Sequence, residues 1–397
     1  MKKYFILCSF VVSLLCADEL EDILSDNKAL LFDYQFKKNE LESNKLSKSW
    51  INPVRLQYRQ DYSTQFRDKT HRTGTFSVVI DQPIFRSGGI YYAIKYSEAL
   101  RAANGVEIVR QKRKMIADAV SILFQMKKLK LQEKKRRLLI KNDKIEIHQK
   151  KERYDAGLLE SSFLDQAILK KSQDEAALLE MELHLLELKQ RFTLLSDKNP
   201  EKLHLPKLKM MSKREYTKEN LDLKRDIRQA EVSKYHEKMI GAKYLPTLAL
   251  HGQYIDGDSN SHLINPAVRE KYYHYGFSVS MPLNVNAFSD IEKSKVEKLS
   301  AAIQVSERRE TVKEEYQWVV NRLKILEKKI VLAKKDEKIY SDLLRVTKNL
   351  VKAGEKRTLD SDMMYHSLMI RKLDQQIYKL DKQIELLKLY MRVENVL

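Results

Sequence analysis

The feature that most limits how this chain can fold is a helical period running from about Gly89 to about Tyr154. At 1.5 Å per residue, those roughly 65 residues make a rod of about 100 Å, too long to sit inside one globule. A second run of the same kind reaches about Lys352. Within it Val319, Leu323, Leu326, Ile330, Ala333, Glu337, Tyr340, Leu344, Thr347 and Val351 keep heptad spacing, with Glu337 and Thr347 as polar exceptions. Both rods stop at a short Ala-Gly stretch, Ala156-Gly157 and Ala353-Gly354. Beyond the first, Leu178, Met181, Leu185, Leu188, Phe192 and Leu195 step by threes and fours. Beyond the second, so do Leu373, Ile377, Leu380, Ile384, Leu387 and Met391. Heptad spacing is the pattern of a coiled-coil seam, so each long helix is expected to turn at its glycine and meet a returning helix.

Ahead of each rod the period changes to two. Val54, Leu56, Tyr58 and Tyr62 alternate with Arg55, Gln57, Arg59 and Asp61; then Phe76, Val78 and Ile80 alternate with Thr75, Ser77 and Asp81 up to Pro83. In the second half Leu248, Leu250 and Tyr254 alternate with Thr247, His251 and Gln253. Tyr273, Tyr275, Phe277, Val279 and Met281 alternate with polar or small neighbours up to Pro282. These are strand pairs with one apolar and one polar face.

The landmarks recur. Pro53 pairs with Pro246, Phe76 with Phe277, Pro83 with Pro282 and Ala156 with Ala353, at separations of 193, 201, 199 and 197. Near-constant offsets in the same order point to an internal duplication. The first repeat is expected over 18–217: a helix, a hairpin at about 53–85, a long helix, a tip at about 154–162, a returning helix and an irregular segment at 196–217. The second is expected over 218–397: a helix from about Lys218 to Lys243, a hairpin at about 246–283, a long helix, a tip at about 352–358 and a returning helix.

Residues 1–17 read as a secretory signal: Lys2 and Lys3, an apolar run from Phe5 to Leu15, and a cut after Ala17. Lipidation at Cys16 is disfavoured, since Leu15 stands where a small residue is preferred. Cys8 and Cys16 both lie in this segment, so the mature chain is expected to carry no disulfide. The net charge of +19 would suit a nucleic-acid binder, but the lysines are spread along helices among glutamates, and an exported chain does not meet nucleic acid. The nine histidines form no metal motif and no glycine loop is built to cradle phosphate, so no enzyme, metal or cofactor is expected. Gly88-Gly89 reads as a strand-to-helix turn. The basic run at 126–141 reads as an outward, solvated or partner-contacting face.

Strands of about 10 residues with one apolar face match transmembrane barrel strands, with Tyr58, Tyr254, Tyr273 and Tyr275 placed for interfacial girdles. Four strands cannot close, because such barrels begin at about 8 strands. A membrane form must therefore share its barrel, and three copies would supply 12 strands. Here the chain resembles the TolC-like outer-membrane efflux factors. The resemblance rests on the Pro-led strands N-P-V-R-L-Q-Y and L-P-T-L-A-L-H-G-Q-Y. It rests also on the passages F-S-V-V-I-D-Q-P-I-F-R-S-G-G and F-S-V-S-M-P-L-N-V, and on the tips R-Y-D-A-G-L-L-E-S-S-F-L-D and L-V-K-A-G-E-K-R-T-L-D. It implies a mainly α fold with a membrane β portion: a homotrimeric barrel in outer-membrane lipid, continuous with a periplasmic α-barrel. It also implies an exit duct for an inner-membrane pump, joined by a periplasmic adaptor protein.

The resemblance makes Ala156, Gly157, Leu158, Ala353 and Gly354 the periplasmic tip turns where an adaptor docks. It places a constriction nearby, with Asp360, Asp362, Lys356, Arg357 and Asp165 as candidate gate residues. Asp165 follows Gly157 by eight positions where Asp360 follows Gly354 by six, so its carry-over is doubtful. A periplasmic adaptor or a coiled-coil scaffold is the rival reading. An adaptor should have one hairpin flanked by Gly-rich β-domains, and a scaffold has no use for the strands.

Overall fold

The computed structural model describes residues 23–66, 69–259 and 270–394. The expected signal at 1–17 and most of the loop before β4 lie outside them. Its elements are α1 (Asp26–Ser47), β1 (Arg55–Phe66), β2 (Lys69–Phe85), α2 (Gly89–Asp155), α3 (Ser161–Thr193), α4 (Lys213–Glu219), α5 (Leu221–Lys243), β3 (Thr247–Ser259), β4 (Lys271–Ser280), α6 (Ala287–Lys352) and α7 (Thr358–Tyr390). The order helix, two strands, long helix, glycine turn, returning helix occurs twice. The chain packs as two compact units, each drawn from both halves. Of the described residues, one comprises those within Tyr34–Ile108 and Leu223–Arg308; the other comprises those within Met1–Asp33, Val109–Asp222 and Arg309–Leu397.

The first unit holds the sheet, in the order β1-β2-β3-β4, antiparallel throughout. Pro83 does not close β2 as the alternation suggested. The strand continues to Phe85, and the register slips between Pro83 and Phe85. Proline has no N–H to give the ladder, so the pairing yields there and then resumes. Ser87 and Gly88 both adopt positive φ, 47° and 84°, to turn the chain into α2. Beneath the sheet a small core forms from Ala99, Ala103 and Val232, packed by Tyr96, Leu100 and Tyr235. Asn39 Nδ2 donates to the Arg101 carbonyl at 2.9 Å, fixing α1 on α2.

In the second unit the heptad positions become the seams. Val319, Leu323, Ala333, Leu344 and Thr347 of α6 are buried, as are Leu373, Ile377 and Leu387 of α7. The polar exception at Glu337 is met from α7 by buried Gln375, whose amide donates to its carboxylate and to the Ala333 carbonyl. On α3, Leu188 and Phe192 are buried. The basic run on α2 is not simply a solvated face. Lys128 pairs with Asp381 at 2.7 Å and Lys135 with Asp374 at 2.6 Å, both on α7. Arg137 reaches Glu182 of α3 at 2.8 Å, Arg136 pairs with Asp174, and Lys130 holds Glu201 at 2.9 Å. These cations thus join α2 to the elements beside it.

The irregular segment ends at α4, where Ser212 and Glu215 form a capping box. The single helix expected from about Lys218 is split. Asn220 takes an extended conformation and bridges Val393, while Leu221 N donates to the Arg392 carbonyl at 2.7 Å. Pairing with the chain's far end outweighs helix continuity at that residue. Phe192→Ala is expected to destabilise this unit by about 3–5 kcal/mol, read as a lowered unfolding midpoint in denaturant.

Candidate functional site

Residues paired directly across antiparallel strands share a face. The register therefore sorts the sheet. Leu56 faces Val78, Val78 faces Tyr254 and Tyr254 faces Tyr273. Tyr58 pairs with Phe76, Gly252 with Tyr275, Leu250 with Phe277 and Leu248 with Val279. All four apolar alternations, and the four expected girdle tyrosines, fall on one side. That side is bare within the chain: Leu56 is 70% exposed, Tyr275 85% and Phe277 74%. At one end it closes in charge, with Asp256–Lys271 at 3.0 Å and Arg72–Asp258 at 2.8 Å. The opposite side carries Arg55, Gln57, Arg59, Ser77, Asp81, His251, Gln253, His274 and Ser278. There His251 Nε2 lies 2.6 Å from Ser278 Oγ, and its Nδ1 lies 3.3 Å from Asp81. The residue types are those of a hydrolytic triad. The surrounding amides belong to the sheet ladder, which leaves no donor pair aimed at a developing oxyanion.

Strands β1 and β4 each have one edge unpaired among the described residues. The helices show a matching deficit. On α3, Leu169, Ser172, Ala176, Leu179, Leu183 and Leu186 step by threes and fours, and all are exposed. On α6, Ile325, Leu332, Ile339 and Val346 recur every seven residues, likewise exposed. Each helix thus has an inner seam used within the chain and an outer seam with no partner among the described residues.

The two tip turns are built alike. Gly157 and Gly354 have φ of 73° and 80°. Leu158 N donates to the Arg153 carbonyl at 2.8 Å and Gly157 N to that of Tyr154 at 2.9 Å. Glu355 N donates to Leu350 at 2.9 Å and Gly354 N to Val351 at 3.1 Å. Each pair of bonds makes a Schellman turn, which needs a left-handed residue. Ala156, Leu158 and Ala353 are exposed beside them.

Of the expected gate residues, the structure brings two into contact with the other hairpin. Arg357 donates to Glu152, and this hydrogen bond is the largest influence holding the Glu152 carboxyl below its usual range. Asp360 accepts from Gln149 Nε2 at 2.9 Å and from the Arg357 backbone N at 3.2 Å, so it both starts α7 and crosses to α2. Lys356, Asp362 and Asp165 are exposed and make no ion pair among the described residues. Counted from the helix starts Ser161 and Thr358, Phe163 stands where the second tip has Asp360. The first tip is thus apolar, with Leu158 77% and Phe163 46% exposed, where the second is charged. Glu152 and Gln149 were missed by sequence reasoning. They lie in the first tip and its helix, and only the lateral packing of α2 on α7 reveals their partners.

Among the described residues no three metal-ligating side chains converge, and no helix is long and apolar enough to cross a membrane. No family model matches the chain. No curated protein matches it. Solved structures do. The outer membrane protein VceC from Vibrio cholerae superposes with a TM-score of 0.75 at 14% identity, over 95% of each chain. The outer-membrane channel OprN matches at 0.72 and 14%, over 94% of this chain and 89% of its own. The Campylobacter jejuni CmeC outer membrane channel matches at 0.72 and 12%, over 96% of this chain and 87% of its own. The chain has the fold of these outer-membrane channels.

A Cβ added at Gly157 or Gly354 meets no atom within 4 Å, so the only cost of alanine there is the left-handed backbone. That is about 1–2 kcal/mol. Gly157→Ala and Gly354→Ala are expected to speed hydrogen exchange of the Leu158 and Glu355 amides roughly 5- to 30-fold.

Proposed function

We propose that the chain is one subunit of a homotrimeric outer-membrane channel-tunnel. The observation that carries this is the four-stranded sheet with a lipid-fit face, a polar face and two unpaired edges. Unpaired backbone groups in hydrocarbon cost several kcal/mol each, so the sheet requires copies at both edges. Three copies give about 12 strands, within the range of closed membrane barrels. The outer seams on α3 and α6 support the same reading, since neighbouring copies would close them into a ring of helices. The fold shared with VceC, OprN and CmeC supports it too.

In this assembly the polar strand face lines the pore, and the helices continue it through the periplasm. The duct carries the cargo of an inner-membrane pump, joined by an adaptor at the six tips. No side chain performs chemistry on the cargo. Arg357–Glu152 and Asp360–Gln149 hold the second hairpin against α2 of the same chain and so keep the entrance narrow. Asp362 and Lys356 remain exposed at that level and add charge to the opening. Asp165 sits deeper on α3, without a gate contact. The two domain-sized repeats, 18–217 and 218–397, each contribute one hairpin and one tip.

The test is the mass of the mature protein extracted from outer membranes in neutral detergent. Three copies are expected, and a monomer that stays in solution without detergent would overturn the reading. Leu183→Lys with Leu186→Lys, on the outer seam of α3, is expected to reduce the trimer to monomers. In planar bilayers Arg357→Glu should raise conductance several-fold over wild type. The pH dependence has a definite sign. The Glu152 pKa is depressed, so its bridge is present above the ordinary value of 4.5 and is lost only as pH falls through the depressed one. Conductance controlled by this bridge is expected to stay flat from pH 7 to 5 and to rise below about 4.5.

A further inference from the structure

Beside the inner seam of α6 and α7 lies an open groove of about 920 Å³. Its apolar floor includes Leu208, Met210, Leu323 and Leu380. One wall is the irregular segment, held in place by two side chains of α7. Gln383 exchanges hydrogen bonds with Leu208, accepting from its N at 2.7 Å and donating to its carbonyl at 3.2 Å. The Tyr390 hydroxyl donates to the Lys209 carbonyl at 2.9 Å. The wall is therefore a fixed part of the unit.

The rim is cationic. Lys127 of α2, Lys207 and Lys209 of the segment, Lys324 of α6 and Lys379 of α7 all line the groove. All five are exposed, and none makes an ion pair among the described residues. This contrasts with the neighbouring cations of α2, which are paired across helices. The lone carboxylate in the lining, Glu327, is taken by Lys382 at 2.6 Å. Five ammonium groups around an apolar trough, with no ion-pair partner among the described residues, make a local positive potential.

We propose that this groove binds an anionic amphiphile. Its carboxylate, sulfate or phosphate head would sit among the lysines and its aliphatic or ring body along the leucines. The volume lies within the roughly 300–1,000 Å³ of small-ligand sites. The outer seam of α6 does not share the groove's side of that helix. At about 100° per residue, groove positions 316, 320, 323 and 327 lie about 150° around α6 from the outer seam of Ile325, Leu332 and Ile339. A copy seated on that seam leaves the groove open. The proposal rests on the groove within one chain and not on channel function.

The experiment is fluorescence titration of the full chain in dodecyl maltoside with 11-(dansylamino)undecanoate, alongside its uncharged methyl ester. Saturable binding of the acid, at least tenfold tighter than of the ester, is expected. Lys207→Gln, Lys209→Gln, Lys324→Gln and Lys379→Gln combined should weaken it tenfold or more. Met210→Glu, at an exposed floor position, should do the same without touching the rim. Displacement by laurate would identify a free fatty carboxylate as the fitting source, and displacement by lysophosphatidylglycerol a lipid one. Either upholds the proposal, and displacement by neither overturns it. Equal binding of acid and ester, no saturation, or unchanged binding by both variants would overturn it. So would uptake of an acidic amphipathic peptide with none of the dansyl acid.

Discussion

A sheet whose edges face hydrocarbon must find hydrogen-bond partners for every backbone group along them, because lipid supplies none. The described residues of this chain form four strands with two open edges, and in the proposed channel those edges would lie in lipid. The rest of the structure follows that shortage. The apolar alternation is in phase across all four strands, so copies joined edge to edge, as proposed, would extend one continuous apolar face. The outer seams of α3 and α6 repeat the shortage in the helices, with leucines and isoleucines spaced for a partner that the chain does not contain.

The helical unit shows how a thin rod is held without a wide core. Beside its apolar seams run ion pairs: Lys128–Asp381, Lys135–Asp374, Arg137–Glu182 and Lys382–Glu327. Partly exposed pairs of this kind each contribute little to stability, about 0–1 kcal/mol. Their value lies in register. A heptad seam can slide by a whole repeat with small loss of burial, whereas a slide breaks part of this pairing: one way it sets Lys128 against Lys388, the other way Lys135 against Ser367. Glu337 and Gln375 do the same inside the seam of α6 and α7, where one polar pair allows a single alignment.

The periodic parts of this fold were legible in the sequence. The rods, the glycine turns, the strand alternation and the coiled-coil seams all follow from spacing, and the structure places them within a few residues. What spacing missed depends on lateral neighbours. Glu152 and Gln149 carry no local signal, because their roles are set by which helix lies alongside. The split at Asn220 comes from pairing with Val393, far along the chain. The cross-links of the basic run were hidden for the same reason: lysine density shows on α2, but Asp381, Asp374, Asp174, Glu182 and Glu201 sit on other elements. Asp165 was doubtful by count, and the structure shows Phe163 at the matching position instead.

The central strand pairing has a temporal consequence. Arg72 of β2 meets Asp258 of β3 across 186 residues of intervening chain, and no nearer strand can take β3's place. The first hairpin therefore leaves synthesis with its inner edge bare. It must wait for a long helix, a tip, a returning helix and α5 to be made before its neighbour exists. Contacts so distant in sequence close slowly, and bare edges invite wrong partners meanwhile. The order of the chain thus sets a sequence of events, in which the strands of the first hairpin are complete long before the central joint of the sheet can form.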